Sequence, residues 1–429
     1  MSFINTLCWM IATIMLISCG LFYTFKLHFA QFNFKKMFNS MKKSNGNDGI
    51  SPFKTLTLAL AARIGVGSLA GIALGIYNGG IGVIFWIWIS SLITLPNSFV
   101  ESTLAVMFHE KDGKYYKGGP AYYINKGLGY KKLSTLYAII ITICYLGGFL
   151  AIQSNTIAVS LKNYVNIPLI VSGLVVAFVS YLIISKGLKR IANFTSFLVP
   201  IMGILYMFVA IIILFINIDK IPILFSKIMK EAFNIKALGW GIISSIIIGV
   251  QRGIFSSEAG IGTGAVASGT SDTTNPLKQG YVQMLGVYFT SFIICTSTVF
   301  IILTSNIDIK SFSLPNGIEI TLSALNYHLG NIGTIVLVLA IISFAFSTIV
   351  SGYYYGESNL SYLNTDFVKK RALLINIIIS IILLIGAILP PTNLWNIVDI
   401  GVAILAIINS IAMLLLRKTV LNEYKKGSY

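Results

Sequence analysis

A glycine-rich run, Arg63-Ile64-Gly65-Val66-Gly67-Ser68-Leu69-Ala70-Gly71, interrupts an apolar segment that extends from Ser51 to Trp88. The segment is long enough to cross a bilayer, yet the run contains an arginine, a serine and three glycines where lipid favours unbroken aliphatic residues. In hydrocarbon each unpaired backbone N–H or C=O group costs several kcal/mol, so a broken helix persists there only where it lines a polar cavity. The run therefore predicts a binding site inside a membrane.

The composition is typical of a membrane protein. Of 429 residues, 56% are hydrophobic and only 10% are charged, whereas a soluble domain carries about 25% charged residues. About eleven apolar stretches are long enough to cross the ~30 Å hydrocarbon core as helices. They lie near 3–25, 53–77, 80–108, 132–160, 166–185, 190–217, 236–268 (interrupted), 279–304, 332–357, 372–389 and 393–416. The sequence therefore predicts an all-α polytopic membrane protein.

The net charge of +17 does not indicate nucleic-acid binding, because the basic residues lie between the apolar segments and not on one polar surface. If the N-terminus is outside, 23 Lys and Arg fall in inside segments and six in outside segments. The positive-inside rule then predicts an outer N-terminus and a cytoplasmic C-terminus. We expect a multi-pass protein of the cell (plasma or inner) membrane.

One helix followed by ten suggests two five-helix units. Because five is odd, the second unit enters the membrane from the opposite side, which makes an inverted-topology repeat. The predicted divisions are an extra N-terminal transmembrane helix (1–30), a cytoplasmic linker (31–52), the first repeat (53–218), an extracellular linker (219–235), the second repeat (236–416) and a cytoplasmic tail (417–429).

Such repeats hold their substrate at the membrane midplane, between discontinuous helices in corresponding positions of the two halves. The first break is predicted at Gly65–Ser68. The second is predicted at Gly249–Gly253, leading into Ile254–Gly260. Glycines also permit close helix packing, and that alternative stays open for either run alone. Matched positions in both halves favour a binding site.

Several motifs together closely resemble the alanine/glycine:cation (sodium:alanine) symporter family. They occur in order between about residues 53 and 360, and they are ARIGVGSLAG (62–71), GGIGVIFWIW (79–88), GGPAYYI (118–124), RGIFSSEAG (252–260) and YYGE (354–357). The resemblance implies a sodium-coupled amino acid symporter with the inverted-repeat fold of leucine-transporter-like proteins, preceded by one extra helix.

An amino acid zwitterion presents a carboxylate and an ammonium group to its site. Free N–H groups and the positive dipole end at the first break suit the carboxylate, and carbonyls near the second break suit the ammonium. By similarity to the family, Gly148, Gln153 and Phe255 contact the substrate, although an interhelical hydrogen bond by Gln153 and ordinary packing by Phe255 remain alternatives. The predicted substrate-binding residues are Val66, Gly67, Ser68, Gly148, Gln153, Gln251, Phe255 and Gly352.

Sodium, the co-transported ion, is a hard cation that requires several oxygen ligands. In the implied fold one sodium site lies between the first broken helix and the eighth core helix. The predicted ligands are Ala61, Ile64, Phe344, Ser347 and Thr348. Ser and Thr hydroxyls in helices often bond to their own helix. The prediction therefore depends on where Ser347 and Thr348 lie in the fold, and not on their being hydroxyl residues.

The charged residues inside predicted spans include the predicted gating residues Arg63, Glu101, Arg252 and Glu258. Such groups are expensive at membrane depth, face the protein interior and usually pair. We expect Arg63, Glu101 and Glu258 to form part of an inner gate that opens and closes during alternating access. A permanent structural pair is the alternative.

The chain departs from the family pattern at three positions. Ser68 stands where the family commonly has Asn, and Thr290 where it commonly has Asp. Both positions bear on a second cation site, so the number of coupled sodium ions stays open. Gly352 falls near a family Trp, which predicts room for a side chain larger than a methyl group.

A membrane enzyme is the less favoured function class. His28, His109 and His328 are scattered near the edges of spans, and no HExxH, GxSxG or CxxC motif occurs. An equilibrative amino acid channel or uniporter, or a substrate sensor with the same fold, stays open beside the symporter. The expected partners are a small neutral amino acid, sodium and the lipid bilayer, and the oligomeric state stays open.

Overall fold

The computed structural model describes residues 3–42, 49–233, 240–312 and 317–427. Within these ranges the chain is almost entirely helical, so the predicted all-α membrane class is confirmed. By length and composition, seven helices are apolar enough to cross a membrane, and a bent pair of helices makes an eighth candidate. Two further apolar helices are shorter. Each of the eleven predicted apolar stretches contains helix.

The first half of the chain contains helices α1 to α10 and one hairpin. Their bounds are α1 Phe3–Lys26, α2 Phe34–Ser40, α3 Pro52–Arg63, α4 Ile72–Gly79, α5 Val83–Met107, β1 Glu110–Asp112, β2 Tyr115–Lys117, α6 Pro120–Leu128, α7 Lys131–Thr142, α8 Leu150–Val165, α9 Leu169–Ile184 and α10 Gly187–Ile216. The strands β1 and β2 pair antiparallel.

The second half contains helices α11 to α20. Their bounds are α11 Ile221–Ala232, α12 Trp240–Ser257, α13 Thr263–Ser268, α14 Pro276–Tyr288, α15 Thr296–Thr304, α16 Ile318–Leu363, α17 Thr365–Lys370, α18 Ala372–Ile388, α19 Pro391–Leu415 and α20 Arg417–Lys426. Helix α16 is kinked at Gly330, whose φ is 57° and ψ −145°. The segments predicted as linkers and tail thus carry the short helices α2, α11 and α20.

The first predicted break is present. Helix α3 ends at Arg63, and the chain resumes as a π-helix, Gly67–Gly71, that continues into α4. The two parts are bent by 51°. Two more π-helices, Ile143–Phe149 and Phe289–Cys295, interrupt the spans that begin at α7 and α14. π-Turns occur mostly as single interruptions near functional sites.

The predicted position of the second break is wrong. Gly249–Gly253 is helical within α12, and the break lies at Glu258–Gly262, between α12 and α13. Three residues there have positive φ: Glu258 (52°), Gly260 (91°) and Gly262 (98°). Glycine in the middle of a membrane helix is tolerated, whereas residues with positive φ at every second position cannot continue a right-handed helix.

The extra N-terminal helix α1 packs against α5 and α19. Trp9 Nε1 donates to the Asp399 carbonyl (3.0 Å), and the Tyr23 hydroxyl donates to the Met413 carbonyl (2.6 Å). Asn97 of α5 donates to the Leu16 carbonyl (2.9 Å). These buried bonds attach α1 to both neighbours.

Backbone hydrogen bonds join the two broken helices at one end of the bundle. Just before α3, Ile50 N–H donates to Thr270 O (3.0 Å), and Asp272 N–H donates to Ile50 O (3.1 Å) just after α13. Gly49 N–H donates to Lys114 O of the β1–β2 turn (3.0 Å). The start of the first broken helix, the end of the second and the hairpin therefore form one hydrogen-bonded unit.

Candidate functional site

The first break leaves backbone groups without helical partners in the middle of the protein. Ile64 has φ −88° and ψ 65°, which ends α3. Gly65 N–H donates to no acceptor among the described residues. The buried Ser68 hydroxyl lies close to the carbonyl oxygens of Arg63 (3.3 Å) and Gly65 (3.2 Å). Ser68 is therefore bonded to the break itself, and its N–H is held weakly by Gly65 O at 3.3 Å.

Four of the five predicted sodium ligands converge beside this break. Thr348 Oγ1 lies 2.8 Å from Ala61 O and 2.9 Å from Phe344 O. Ser347 Oγ lies 3.3 Å and 2.9 Å from the same two carbonyl oxygens. The cluster is buried and holds four oxygens, which is the ligand type of a hard cation.

The fifth predicted ligand, Ile64, adjoins this cluster along the chain. A Cβ built on the next residue, Gly65, would lie 2.4 Å from Thr348 Oγ1. Only glycine therefore lets the break approach α16 this closely. Among the described residues, no hydrogen bond joins the Ile64 carbonyl to the cluster, so its part in the site stays a prediction.

Gln153 of α8 reaches the other side of the break. Its Oε1 accepts from Val66 N–H at 3.4 Å, a long bond between two buried residues. Gln153 thus holds one of the N–H groups predicted to bind a carboxylate. Gln153 therefore makes an interhelical hydrogen bond, which was the alternative to a substrate contact. Because the bond is long, the Val66 N–H group is only weakly bound.

Phe255 faces the break from α12. A Cβ on Gly67 would lie 3.0 Å from its ring, and Ser256 Oγ donates to Gly67 O (3.2 Å). The Phe255 ring stacks on Phe149 (5.5 Å between centroids) and packs against Trp395 (5.3 Å). Three aromatic rings therefore form an apolar wall next to the backbone of the first break.

The second break is bonded more fully by neighbouring side chains. The Tyr137 hydroxyl donates to Ile261 O (2.8 Å), and Asn409 Nδ2 donates to Gly260 O (2.9 Å). Just before the break, the carbonyl oxygens of Phe255, Ser256 and Ser257 accept no hydrogen bond from the described residues. These last carbonyls of α12, and not those at Gly249–Gly253, are free for an ammonium group.

Gln251 and Arg252 belong to a different cluster from the one predicted. Arg252 forms an ion pair with Asp399 of α19 (3.3 Å), and Gln251 Nε2 donates to the same carboxylate oxygen (3.0 Å). The Arg252 guanidinium also lies 5.9 Å from the Phe255 ring centroid and 5.7 Å from that of Trp395. Since both residues lie in unbroken helix, the carbonyl argument for Gln251 is wrong.

Arg63, Glu101 and Glu258 lie close together, but Arg63 has no carboxylate within 4.0 Å among the described residues. It donates to Gln283 O (3.2 Å) and, at the limit of 3.5 Å, to Ser98 Oγ. Glu101 accepts from Asn409 (2.8 Å), and Glu258 accepts from the Tyr145 hydroxyl (2.8 Å). A Cβ on Gly264 of α13 would touch both Arg63 and Glu101. The predicted direct pair of Arg63 is therefore absent from this conformation.

The remaining predicted positions lie around the same helices. A Cβ on Gly148 would lie 2.4 Å from Val398 of α19, so this glycine permits close helix packing. A Cβ on Gly352 would meet Leu150 (3.1 Å) and Tyr145 (3.5 Å). The side chains of Leu150 and Tyr145 therefore occupy the space next to Gly352, where room for a larger substrate side chain was predicted. The Thr290 hydroxyl donates to Gly286 O of its own helix (3.0 Å).

Several residues at the site were missed from the sequence. Thr298 Oγ1 donates to Ser68 O (3.0 Å), and Tyr145 and Asn409 bind the buried carboxylates. Asp399 is the clearest omission. An acidic residue inside the apolar span 393–416 carries the same signal that singled out Arg252.

Comparison with known proteins identifies the family. The model of the sodium:alanine symporter family matches residues 1–428. The amino-acid carrier protein AlsT of Bacillus subtilis is 38% identical over 97% of this chain and 89% of its own length. The probable sodium/glutamine symporter GlnT of the same organism is 36% identical, covering 98% and 88%. The sodium/alanine symporter AgcS of Methanococcus maripaludis is 30% identical, covering 96% and 93%.

Solved structures support the fold. The crystal structure of MhsT in complex with L-phenylalanine superposes with a TM-score of 0.63 at 15% identity, covering 86% of this chain and 89% of that chain. A substrate-bound, outward-open sodium-coupled sialic acid symporter gives a TM-score of 0.52 at 14% identity, covering 90% and 82%. The transporter fold implied by the motifs is confirmed, and the chain belongs to the sodium:alanine symporter family.

Proposed function

We propose that this sodium-coupled amino acid symporter imports a small neutral amino acid, of the size of alanine or glycine or somewhat larger, by alternating access. One observation carries the proposal. The first break faces four oxygens suited to sodium on one side and the Gln153-held N–H of Val66 on the other. Both ligands therefore use the same short stretch of backbone.

The proposed amino acid lies between the two breaks. Its carboxylate is bound by N–H groups of the first break, at Gly65, Val66 and Gly67, because these point from a helix end with partial positive charge. Its ammonium is bound by the carbonyl oxygens of Phe255, Ser256 and Ser257. The aromatic wall of Phe149, Phe255 and Trp395 supports an apolar environment for the side chain.

Sodium binding supplies the coupling in this proposal. The ion replaces the hydrogen bonds that Ser347 and Thr348 make to Ala61 O, and it ties α16 to the end of α3. Holding this end in place orders the adjacent N–H groups for the carboxylate. Reciprocity of linked binding then requires that the amino acid raises the affinity for sodium by the same factor.

The proposed topology places the N-terminus outside the cell membrane and the β1–β2 hairpin in the cytoplasm. The hydrogen bonds of Ile50 with Thr270 and Asp272 then close the cytoplasmic end. Arg252 and Asp399 lie on the extracellular side of the second break. Release of the substrate inward requires the cytoplasmic ends of α3 and α13 to separate, with Arg63, Glu101 and Glu258 exchanging partners there.

Uptake into proteoliposomes tests this function. Labelled alanine, glycine and glutamine are offered with an inward sodium gradient and, separately, with equal sodium on both sides. We expect concentrative uptake only with the gradient. Equal, non-concentrative uptake with and without the sodium gradient would contradict coupling. If no neutral amino acid is taken up or competes for uptake, the proposed substrate class is wrong.

A further inference from the structure

A cavity of about 600 Å³ opens on the outer surface of the bundle, between α2, α3, α10 and the span that begins at α14. Its volume falls within the ~300–1,000 Å³ of ordinary small-molecule sites. We refer to it as the α2–α10 groove. It lies outside the candidate transport site and has no part in the proposed function.

The α3 wall of the groove is a regular stripe. Phe53, Leu56, Thr57 and Leu60 line it, at the i, i+3, i+4 and i+7 spacing of one helical face. This wall extends over about 10 Å along the helix axis, at 1.5 Å per residue. Because α3 is the half-helix that ends at the first break, an occupant of the groove contacts a part of the transport machinery.

The described residues that line the groove offer no free hydrogen-bonding side chain. Thr57 and Tyr288 carry the polar side chains of its lining. The Thr57 hydroxyl donates to Lys54 O (3.0 Å), and the Tyr288 hydroxyl donates to Gln31 O (2.9 Å). The other lining side chains are aromatic, aliphatic or Met, together with Pro200 and Gly286. An apolar occupant is therefore required.

Three lysines adjoin lining residues of the groove in the chain. Lys35 follows Phe34, Lys42 follows Met41, and Lys54 follows Phe53. The Lys54 ammonium donates to Asn193 Oδ1 (2.6 Å), which is a neutral partner. The described residues of α2, α3, α10, α14 and α15 include no acidic side chain, and no described carboxylate lies within 4.0 Å of these lysines. An apolar groove next to lysines that have no described carboxylate partner suits an amphiphile with an anionic head.

We propose that the α2–α10 groove binds one anionic phospholipid of the cytoplasmic leaflet, with an acyl chain against α3 and the phosphate at Lys35, Lys42 and Lys54. The proposed topology places these lysines at the cytoplasmic surface, where anionic lipids attract basic segments. The lipid packs against α3 in the conformation whose cytoplasmic end is closed.

Native mass spectrometry of the full-length purified protein provides the test. The protein is exchanged into detergent with phosphatidylglycerol or with phosphatidylcholine, and the retained lipid is counted. We expect one retained phosphatidylglycerol and no retained phosphatidylcholine. Substituting Lys35, Lys42 and Lys54 together by Gln weakens retention by about fivefold per lysine. Ile204→Trp fills the groove and abolishes retention although every lysine is present.

Matched controls separate the groove from general surface charge and from misfolding. Lys131→Gln with Lys132→Gln removes two exposed basic residues elsewhere, and Ile211→Trp adds a ring to an exposed part of α10 outside the groove. Both should retain the lipid. Every variant must keep its sodium-dependent thermal shift with alanine. If Ile204→Trp does not, Ile204→Phe replaces it as the groove variant. If Ile211→Trp does not, Leu205→Trp replaces it as the control, because Leu205 does not line the groove.

Three results would overturn the proposal. Retention that survives both the triple lysine variant and Ile204→Trp places the lipid elsewhere. Loss with the lysine variant but not with Ile204→Trp means attraction to surface charge alone. Loss with Ile204→Trp but equal retention of phosphatidylcholine means an apolar site without head-group recognition.

Discussion

The two breaks differ in how their backbone groups are used. At the first, Gly65 N–H is free among the described residues, and Val66 N–H is held only by a long bond to Gln153. At the second, Tyr137 and Asn409 already bind the carbonyls of Ile261 and Gly260. Both runs are rich in glycine. The first leaves N–H groups of the break free for a ligand, whereas at the second the carbonyls within the break are bound by neighbours and only the last carbonyls of α12, just before it, are free.

One arginine precedes each break, and the two are also held differently. Arg252 pairs with Asp399 at 3.3 Å, whereas Arg63 binds a carbonyl and a hydroxyl and has no carboxylate within 4.0 Å in the described part of the chain. A fixed ion pair stabilises the helix before the second break. The Arg63 guanidinium has no fixed carboxylate partner, and the buried carboxylates of Glu101 and Glu258 lie near it. Arg63 can therefore change partners, as a residue of a moving element must.

The largest effect is expected at the fixed pair. Asp399→Asn leaves Arg252 buried without a counter-charge and should lower the free energy of unfolding by about 3–5 kcal/mol. Replacing both partners by apolar residues (Arg252→Met with Asp399→Leu) should recover most of this loss. Thermal unfolding in detergent measures it, with the exposed Asp219→Asn as control. Equal unfolding of Asp399→Asn and the control would show that the pair has no structural role.

The next effect concerns ligands at the first break. Thr348→Val keeps the shape of the side chain but removes an oxygen from the proposed sodium site. Since a bond to a charged group contributes about 1.5–3 kcal/mol, the sodium concentration for half-maximal uptake should rise by about 10–100-fold. Thr156→Val is the matched control, because that hydroxyl donates to Ile152 O of its own helix. An unchanged sodium requirement in Thr348→Val would remove this residue from the site.

Alanine substitutions compare the two breaks directly. Gly260→Ala requires a side chain at φ 91° and 2.5 Å from Leu16, so stability should fall by about 1–3 kcal/mol. Gly65→Ala meets Thr348 Oγ1 at 2.4 Å and should mainly raise the sodium requirement. Gly147→Ala has open space and serves as the control. Identical effects of the first two variants on unfolding and on sodium dependence would remove the distinction between the breaks.

The smallest effect concerns the β1–β2 hairpin, which is hydrogen-bonded to the segment just before the first broken helix. Hydrogen bonding from Lys369, and then from Lys117, lowers the pKa of Asp112 below its ordinary value. The folded carboxylate therefore adds stability above its unfolded pKa, and this is lost as pH falls through the lowered folded pKa.

The Asp112 contribution should be below about 1 kcal/mol, because the ion pairs are partly exposed. Melting temperatures of wild type and Asp112→Asn, measured from neutral to acidic pH, should differ slightly at neutral pH and converge in acid. A difference that grows as pH falls would reverse the sign. Asp219→Asn again provides the control.

Much of the fold follows from residue patterns alone. Apolar stretches about 20 residues long have one stable form in lipid, a helix, so every predicted stretch contains helix. The first break was predicted at its observed place because Gly65 and Gly67 lie next to Arg63 in otherwise apolar sequence. Ala61, Phe344, Ser347 and Thr348 were predicted from the sodium site of the implied fold, and the structure brings their oxygens together. Their binding of sodium stays a prediction.

Other features depended on how the helices pack. Gly249 and Gly253 resemble a break in sequence, but they face Trp86 and Ser90 of α5, where small residues allow close contact. The actual break begins at Glu258, a residue with no intrinsic preference for positive φ, because neighbouring side chains bind its carboxylate and the following carbonyls. Local sequence therefore determined that this chain crosses a membrane with glycine-interrupted helices. Contacts between distant segments determined which backbone groups at each interruption are open to ligands, because a backbone group is available only when no neighbouring helix already binds it.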